Sequence, residues 1–261
     1  MYWILVKMTD HSNMIQNCSG ISAIPLFNEY TEGFFGYGSW ANSIWLVGSE
    51  EKGCGKDPNE FHKRFRVWCT FEKKDLVDLI DFHRKPNYET GVEIRWENAT
   101  WMWLFCLCRL SGFEIECLRE GNRRWGGEPR QAEKAELYVS LMEASPFPAP
   151  STREWPYKGD DLPFSRGKSL TILIKRRLES LAEKIGQYRP TVVIGYGAAV
   201  RGMIAILQGR GWESGHPIDG ATILRCPKNK SLFCHINHPA RGRFNPGRIG
   251  DAIKNLRHEL H

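Results

Sequence analysis

The chain has 261 residues, of which 41% are hydrophobic and 25% are charged. This composition is typical of a folded globular protein and excludes a disordered one. The formal net charge of +6 is compatible with a polyanionic partner but does not identify one. No run reaches the roughly 18 apolar residues of a membrane span, and residues 2–6 lack the flanks of a signal peptide. We therefore expect a cytoplasmic protein without a membrane partner.

Four short apolar runs predict buried strands, because each is closed by glycine, proline or polar residues. In chain order they are Ser43–Gly48, Ala135–Met142, Pro190–Gly195 and Ser231–Ile236. Helical patterns lie between these strands and after the last one: Asn59–His83 as one broken helix or two, the apolar and hence buried Ala99–Leu110, the amphipathic Gly167–Tyr188, and then Ala198–Gly209 and Pro246–His258.

The alternation of strands and helices predicts parallel βαβ units in an α/β fold with three α/β/α layers and a central four-stranded parallel sheet. At this length one domain over residues 1–261 is the simplest organisation, with residues 1–34 as an N-terminal extension that packs on the core. Ligands of such sheets bind at the carboxyl ends of the strands.

The eight cysteines contain no C-x-x-C pair, which a structural zinc site or an iron–sulfur cluster usually shows. Cys106 and Cys108 lie inside an apolar run, so buried and reduced thiols are the expectation. We expect neither a metal nor a cofactor, and we expect no obligate protein partner.

Three polar loops follow predicted strands and should meet at one edge of the sheet. Residues 48–58 carry a carboxylate pair, residues 143–157 are rich in proline, and residues 237–248 hold a histidine followed by arginines. Each loop alone is explained by turn chemistry, since glycine and proline favour turns and charges favour solvent. It is their convergence that favours a functional site.

In their order and spacing these loops resemble the uracil-DNA glycosylase superfamily. The residues that carry the resemblance are Gly48-Ser49-Glu50 after the first strand, His238-Pro239 after the last, the third strand with its turn at residues 189–199, and the proline-rich segment 146–157. The resemblance extends from about Phe35 to the C-terminus. The chain departs from the family by having Glu51 where most members have proline, Ser140 where many have asparagine, and no four-cysteine cluster.

The resemblance implies a DNA glycosylase, which extrudes a nucleotide and cleaves its N-glycosidic bond. Glu50 would stabilise the oxocarbenium-like sugar and orient the water, with Glu51 and Asp57 as alternatives, and His238 would donate to the departing base. The competing interpretations are a solvated loop charge for Glu50 and a structural histidine for His238. We expect His235, inside a strand, to be structural.

The remaining predicted contacts are assigned to the base and to the DNA. Gly48, Ser49, Ser140 and Phe61 would contact the base, although Phe65 or Trp68 could replace Phe61 as the stacking ring. Arginine and aromatic side chains of the last loop would fill the vacated stack or pair with phosphates; the predicted DNA contacts are Arg241, Arg243, Phe244, Ser151 and Lys52. The basic run at residues 119–130 is a phosphate contact or, more simply, a solvated loop.

Several functions remain open on the sequence alone. Within the glycosylases, the missing asparagine and the long segment between the first two strands favour a bulky modified cytosine of phage DNA, such as glucosylated hydroxymethylcytosine, over uracil or another deaminated base in repair. A non-catalytic DNA-binding relative is the second hypothesis. An enzyme for a free nucleotide is the third, weakened by the absence of a phosphate-binding G-x-x-x-x-G-K-[ST] loop.

Overall fold

A computed structural model of the protein describes residues 23–50, 60–83, 99–113, 139–147, 168–215, 218, 220–239 and 245–260. The helices in these ranges are α1 (Ala23–Gly33), α2 (Glu60–Cys69), α3 (Leu79–His83), α4 (Ala99–Leu110), α5 (Lys168–Tyr188), α6 (Gly202–Gly209) and α7 (Pro246–Leu260). The strands are β1 (Gly36–Tyr37), β2 (Ile44–Glu50), β3 (Leu76–Val77), β4 (Val139–Ser145), β5 (Val192–Tyr196), β6 (Glu213–Ser214), β7 (Ala221–Cys226) and β8 (Ser231–Ile236). The protein is an α/β protein.

The described strands form one mixed sheet of eight strands in the order β3-β1-β4-β2-β5-β8-β7-β6. The prediction of a four-stranded parallel sheet is therefore wrong for the sheet as a whole. Its four predicted strands are the central ones, and β4, β2, β5 and β8 pair in parallel. At the edges β1 runs antiparallel to β4, and β7 runs antiparallel to β8.

The edge strands were not predicted from the sequence, for two physical reasons. Strands β1, β3 and β6 have two residues each, too few to show any periodicity. Strand β7 forms a hairpin with β8, in which Cys226 pairs with Ser231 across a four-residue turn. The turn sequence at residues 227–230 contains proline and asparagine, which is a hairpin signal that the prediction of parallel βαβ units left unused.

Two apolar clusters lie on opposite faces of the sheet. Alternate residues of β2 divide between them, because successive side chains of a strand point to opposite faces: Ile44 and Leu46 join one cluster, Trp45 and Val47 the other. Helices α1, α2, α3, α4 and α7 contribute to the first cluster, while α6 and most of α5 contribute to the second. The sheet is thus covered on both faces, which explains its near-continuous apolar strands.

The helix predictions agree with the structure in position but not always in burial. Residues 59–83 form two helices, separated by β3. Helix α4 matches its predicted bounds, yet Met102 and Trp103 are 48% and 41% exposed, so the expectation of a helix buried on all sides is wrong. In the predicted N-terminal extension, the Tyr30 ring of α1 packs on the Phe65 and Trp68 rings of α2 at 5.6 and 5.2 Å.

None of the helices in the described ranges combines the length and apolar character that crossing a membrane requires.

Candidate active site at the carboxyl edge of the sheet

The carboxyl ends of the central strands are aligned in one row of the sheet. Glu143 of β4 pairs with Gly48 of β2, and the register of β2 with β5 carries this row on to Tyr196, which pairs with Ile236 of β8. Side chains at equivalent positions of neighbouring strands share a face, so Glu143 and Tyr196 flank Gly48 on the face covered by α4 and α7.

Gly48 makes room for two polar side chains. A Cβ atom at this position would lie 2.6 Å from the Tyr196 hydroxyl oxygen and closer still to the Glu143 carboxylate oxygen Oε2. Real Cβ atoms do not approach other atoms so closely, so any side chain here would displace one or both groups. The bare backbone of Gly48 thus allows a carboxylate and a phenol to converge at the centre of the sheet edge.

His238 joins this cluster from the end of β8. It is half-buried, and its ring meets the Tyr196 ring edge to face, with 6.0 Å between centroids. Glu50 and His238 each lie two residues beyond this row, Glu50 on β2 and His238 after β8, and β5 lies between these two strands. The backbones of β2 and β8 are therefore two strand spacings, about 10 Å, apart. The backbone of Glu50 pairs with Ser145, and its side chain lies outside the described atoms.

Ser49 faces the opposite side of the sheet from Gly48. Its hydroxyl accepts a hydrogen bond from the Ala199 amide at 3.2 Å and lies 3.4 Å from the Tyr196 carbonyl. The hydroxyl also fills the space beside Gly197, whose φ of +86° favours glycine. The Ser49 side chain therefore stabilises the turn after β5, and its predicted contact with a base stays a prediction.

His235 also lies on this second face, where its Nε2–H donates to the Gly197 carbonyl at 3.0 Å. Burial lowers the pKa of His235 below its ordinary value, with a smaller contribution from the charge of Arg201, while the bond to Gly197 opposes the shift. A neutral, buried histidine bonded to a turn has a structural role, as its place inside the strand predicted.

Ser140 was expected to end the second strand, and this prediction is wrong. The strand runs from Val139 to Ser145, so Ser140 lies near its amino end. The buried Ser140 hydroxyl donates to the Ser39 carbonyl at 2.7 Å and accepts from the Ser39 amide and the Asn42 side-chain amide. Its role is to fix the loop before β2, and about 10 Å of strand separates it from Glu143 in the row at the carboxyl edge.

Arg177 of α5 is a buried cation that sequence reasoning missed. It is 1% exposed, and its guanidinium donates to the backbone carbonyls of Thr31, Phe34, Glu143 and Ala144 at 2.6–2.9 Å. Burial lowers the pKa of Arg177 to about 10, although nearby Tyr30, Glu143 and Glu32 counteract the shift. One side chain thus joins α1, the carboxyl end of β4 and α5.

A crevice of about 10 Å³, room for about one water molecule, lies beside Glu143. Arg64, Arg177, Glu143 and Ser145 line it together with residues of α1 and β1. Arg64 is 4% exposed, so two buried cations border the carboxyl end of β4. Sequence reasoning missed Glu143 as well, because it placed the strand end at Met142.

The buried cysteines of the central region do not provide a nucleophile. Burial raises the pKa of Cys108 and of Cys234 to about 12, so both thiols stay protonated at neutral pH.

The structure thus describes some predicted site residues and not others. It brings Gly48 and His238 to one edge, and it gives Glu50 and Phe61 by their backbone alone. The following predicted residues lie outside the described ranges and stay predictions: Glu51, Lys52, Asp57, Ser151, Arg241, Arg243 and Phe244.

No protein-family model matches the chain, and no curated protein matches it.

Proposed function

We propose that the protein is a DNA glycosylase that hydrolyses the N-glycosidic bond of a flipped base and leaves an abasic site. One observation supports the proposal above all. At the carboxyl edge of the parallel strands, the Glu143 carboxylate and the Tyr196 hydroxyl converge above Gly48, and the Tyr196 ring contacts the His238 imidazole. Glu50 lies two residues beyond Gly48 on the same strand. Open α/β sheets bind their ligands at this edge.

The roles of the two principal residues follow from the charges that develop during bond cleavage. As the bond between C1′ and the base nitrogen breaks, positive charge builds on the sugar and negative charge on the base. An ionised Glu50 would stabilise the sugar and take a proton from the water that attacks C1′. The His238 ring would donate a hydrogen bond to the base, whose nitrogen leaves with the bonding pair.

Contacts to the nucleic acid would come from the loops after β2, β4 and β8. Lys52, Ser151, Arg241 and Arg243 would bind phosphates, and Phe244 would fill the space that the flipped nucleotide vacates. The net charge of +6 supports a polyanionic partner. The proposed substrate is a bulky modified cytosine such as glucosylated hydroxymethylcytosine, in a cytoplasmic defence against phage DNA; excision of uracil or another deaminated base in repair is the alternative.

The test is to incubate the protein with three duplexes that carry glucosyl-hydroxymethylcytosine, uracil or plain cytosine, and to cleave the products with alkali. We expect alkali-labile strands from the first duplex. Labile strands from the uracil duplex alone would assign the protein to repair. Salt-sensitive binding without strand cleavage for any duplex, unchanged in Glu50→Gln, would overturn the proposal in favour of a non-catalytic DNA-binding protein.

A further inference from the structure

A second candidate surface lies at the amino edge of the sheet, opposite the proposed active site. About 20 Å of β2 separates the two edges. Val192, at the start of β5, pairs with Ile44 of β2 on one side and with Leu232 of β8 on the other. Arg189 precedes Val192 by three residues, and Lys230 precedes Leu232 by two. The end of α5, the loop before β2 and the turn before β8 therefore meet at this edge.

Three exposed cations lie on these segments. Arg189 directly follows α5, and Lys228 and Lys230 belong to the turn between β7 and β8. None of the three forms an ion pair within the ranges that the structure describes. Acidic side chains of α5, β6 and the segment before β3 pair with other cations instead: Glu183 with Arg210, Glu213 with Arg225 and Asp75 with Lys184. The three cations are therefore available to an anionic partner.

An aromatic stack borders these cations. The ring of Tyr188, the last residue of α5, stacks on the Trp40 ring with 5.6 Å between centroids and 15° between planes. Trp40 in turn contacts the edges of the Trp45 and Phe35 rings, and the Lys184 ammonium lies 5.0 Å from its centroid. Tyr188 is 39% exposed. The stack thus presents to solvent an aromatic ring whose position is fixed before any ligand binds.

Exposed cations beside an exposed aromatic ring match the chemistry of a single nucleic-acid strand. Lysine and arginine bind the phosphates, and an aromatic ring stacks on a base of any identity. A duplex keeps the faces of its bases inside its own stack, so it offers phosphates to the cations but no base to Tyr188. The combination therefore favours an unpaired strand over a duplex.

We propose that the amino-edge patch, defined as Trp40, Tyr188, Arg189, Lys228 and Lys230, binds single-stranded DNA. The inference goes beyond the proposed function, because it adds a DNA-binding surface on the edge opposite the reacting base. Only the choice of DNA over RNA rests on that function. The two edges together would let the protein hold an unpaired strand while it acts on a base in another segment.

The test measures the binding of a labelled oligothymidylate of about 12 nucleotides by fluorescence anisotropy, at several salt concentrations. The patch variant combines Arg189→Asn, Lys228→Gln and Lys230→Asn. Asparagine is chosen at two positions because Arg189 and Lys230 have φ angles of +54° and +57°, which asparagine tolerates. We expect the patch variant to bind about 10- to 100-fold more weakly near 0.1 M salt, with a salt slope smaller by about 2.

The matched control combines Lys175→Gln, Arg176→Gln and Lys254→Gln. These exposed residues lie on α5 and α7, outside the amino-edge patch, and their loss lowers the net charge by the same amount. The control should bind the oligonucleotide within about 3-fold of the native protein, because long-range attraction is screened at this salt. Equal weakening in the two triple variants would overturn the inference, since net charge alone would then explain the binding.

The aromatic ring is tested separately. Tyr188→Ala should weaken binding by about 5- to 100-fold, and Tyr188→Phe should restore it, because the ring and not the hydroxyl stacks on the base. An oligonucleotide that carries 5-bromodeoxyuridine should cross-link under ultraviolet light to the peptides of Trp40 or Tyr188. Cross-links confined to peptides of the carboxyl edge would overturn the inference. Should Tyr188→Ala not fold, the cross-links and the variants of the exposed cations decide the question.

The remaining arms separate the partners and the two proposals. Tighter binding of the native protein to an RNA or a duplex of the same length would overturn the assignment to single-stranded DNA. Native affinity in the patch variant would overturn the inference and leave the glycosylase function standing. Absence of base release in the excision assay would remove that function without changing the binding result.

Discussion

The two ends of β4 differ in the contacts that their polar side chains make. At the amino end, the Ser140 hydroxyl makes three hydrogen bonds to Ser39 and Asn42, and all three partners belong to the loop that precedes β2. At the carboxyl end, Glu143 shares the space above Gly48 with a tyrosine of another strand. The hydrogen bonds of Ser140 stabilise the fold at the amino end, and the proposed function places the ligand at the carboxyl end.

A second comparison, across the sheet, separates residues that are adjacent in sequence. Gly48 opens toward Glu143 and Tyr196 on one face, while Ser49 binds the turn after β5 on the other face. His235 and His238 divide in the same way, since the first bonds to Gly197 and the second packs on Tyr196. Residues that stabilise the fold thus alternate with candidate functional residues along β2 and at the end of β8.

The largest effect on stability is expected at Arg177, whose guanidinium binds backbone carbonyls at the carboxyl end of β4. Arg177→Met would leave four buried carbonyls without their donor and should lower the free energy of unfolding by on the order of 3–5 kcal/mol. The matched control is Arg176→Met, since Arg176 is 66% exposed and should contribute less than about 0.5 kcal/mol. Denaturant unfolding measures both, and equal losses would contradict the assigned role.

Gly48→Ala should disturb the carboxyl end specifically. The added methyl group would displace the Glu143 carboxylate or the Tyr196 hydroxyl, at a cost of about 1–3 kcal/mol of stability. Excision should slow by at least about 10-fold, because groups that contact a reacting base must keep their geometry. Single-turnover assays below the unfolding temperature measure the rate. A fully active Gly48→Ala would show that the cluster has no part in the reaction.

Ser140→Ala should show the opposite pattern at the amino end. Loss of the hydroxyl removes one hydrogen bond each from the Asn42 side-chain amide, the Ser39 amide and the Ser39 carbonyl, and should cost about 1–3 kcal/mol. The excision rate of the folded variant should stay within about 2-fold of the native rate, because Glu143 in the site row lies three residues, about 10 Å, farther along the strand. A large loss of rate at unchanged stability would contradict the division between the two ends.

His235 should produce the smallest effect, a weak dependence of stability on pH. Its folded-state pKa lies below the ordinary value of 6.5, so the unfolded chain binds the proton first as pH falls. Stability from this group is therefore complete above pH 6.5 and declines as pH falls toward the folded-state pKa, by at most about 1.4 kcal/mol per pH unit. Unfolding at pH 7.5 and 5.5 should show a smaller loss in His235→Gln than in the native protein.

The sequence predicted the centre of the sheet better than its ends, and β4 shows why. Apolar runs locate a buried strand, but Glu143 and Ser145 are polar, so the apolar pattern stops before the strand does. The strand end was therefore placed three residues early, which gave Ser140 a role that belongs to the carboxyl edge. A polar side chain inside a strand is expected where the sheet begins to bind a ligand, and hydrophobic patterning cannot detect it.

Arg177 shows a signal that the sequence contained. Leu173, Arg177 and Leu181 are spaced by four residues on the apolar face of α5, so a charged residue there is expected to be buried. Its partners, in contrast, lie 33–146 residues away and could not be found by local reasoning. The meeting of Tyr196 with His238 likewise depends on the register of β5 with β8.

The central claim is that the carboxyl edge performs the chemistry. Its most direct test is the single-turnover rate of base release from duplex DNA by Glu50→Gln, Glu51→Gln, Asp57→Asn, His238→Gln and Ser140→Ala. We expect the rate to fall by about 10²–10³-fold in Glu50→Gln and His238→Gln and to stay near the native rate in Ser140→Ala. A fall of that size in Glu51→Gln or Asp57→Asn alone would transfer the catalytic role to that carboxylate. Native rates in all three carboxylate variants and in His238→Gln would contradict the claim.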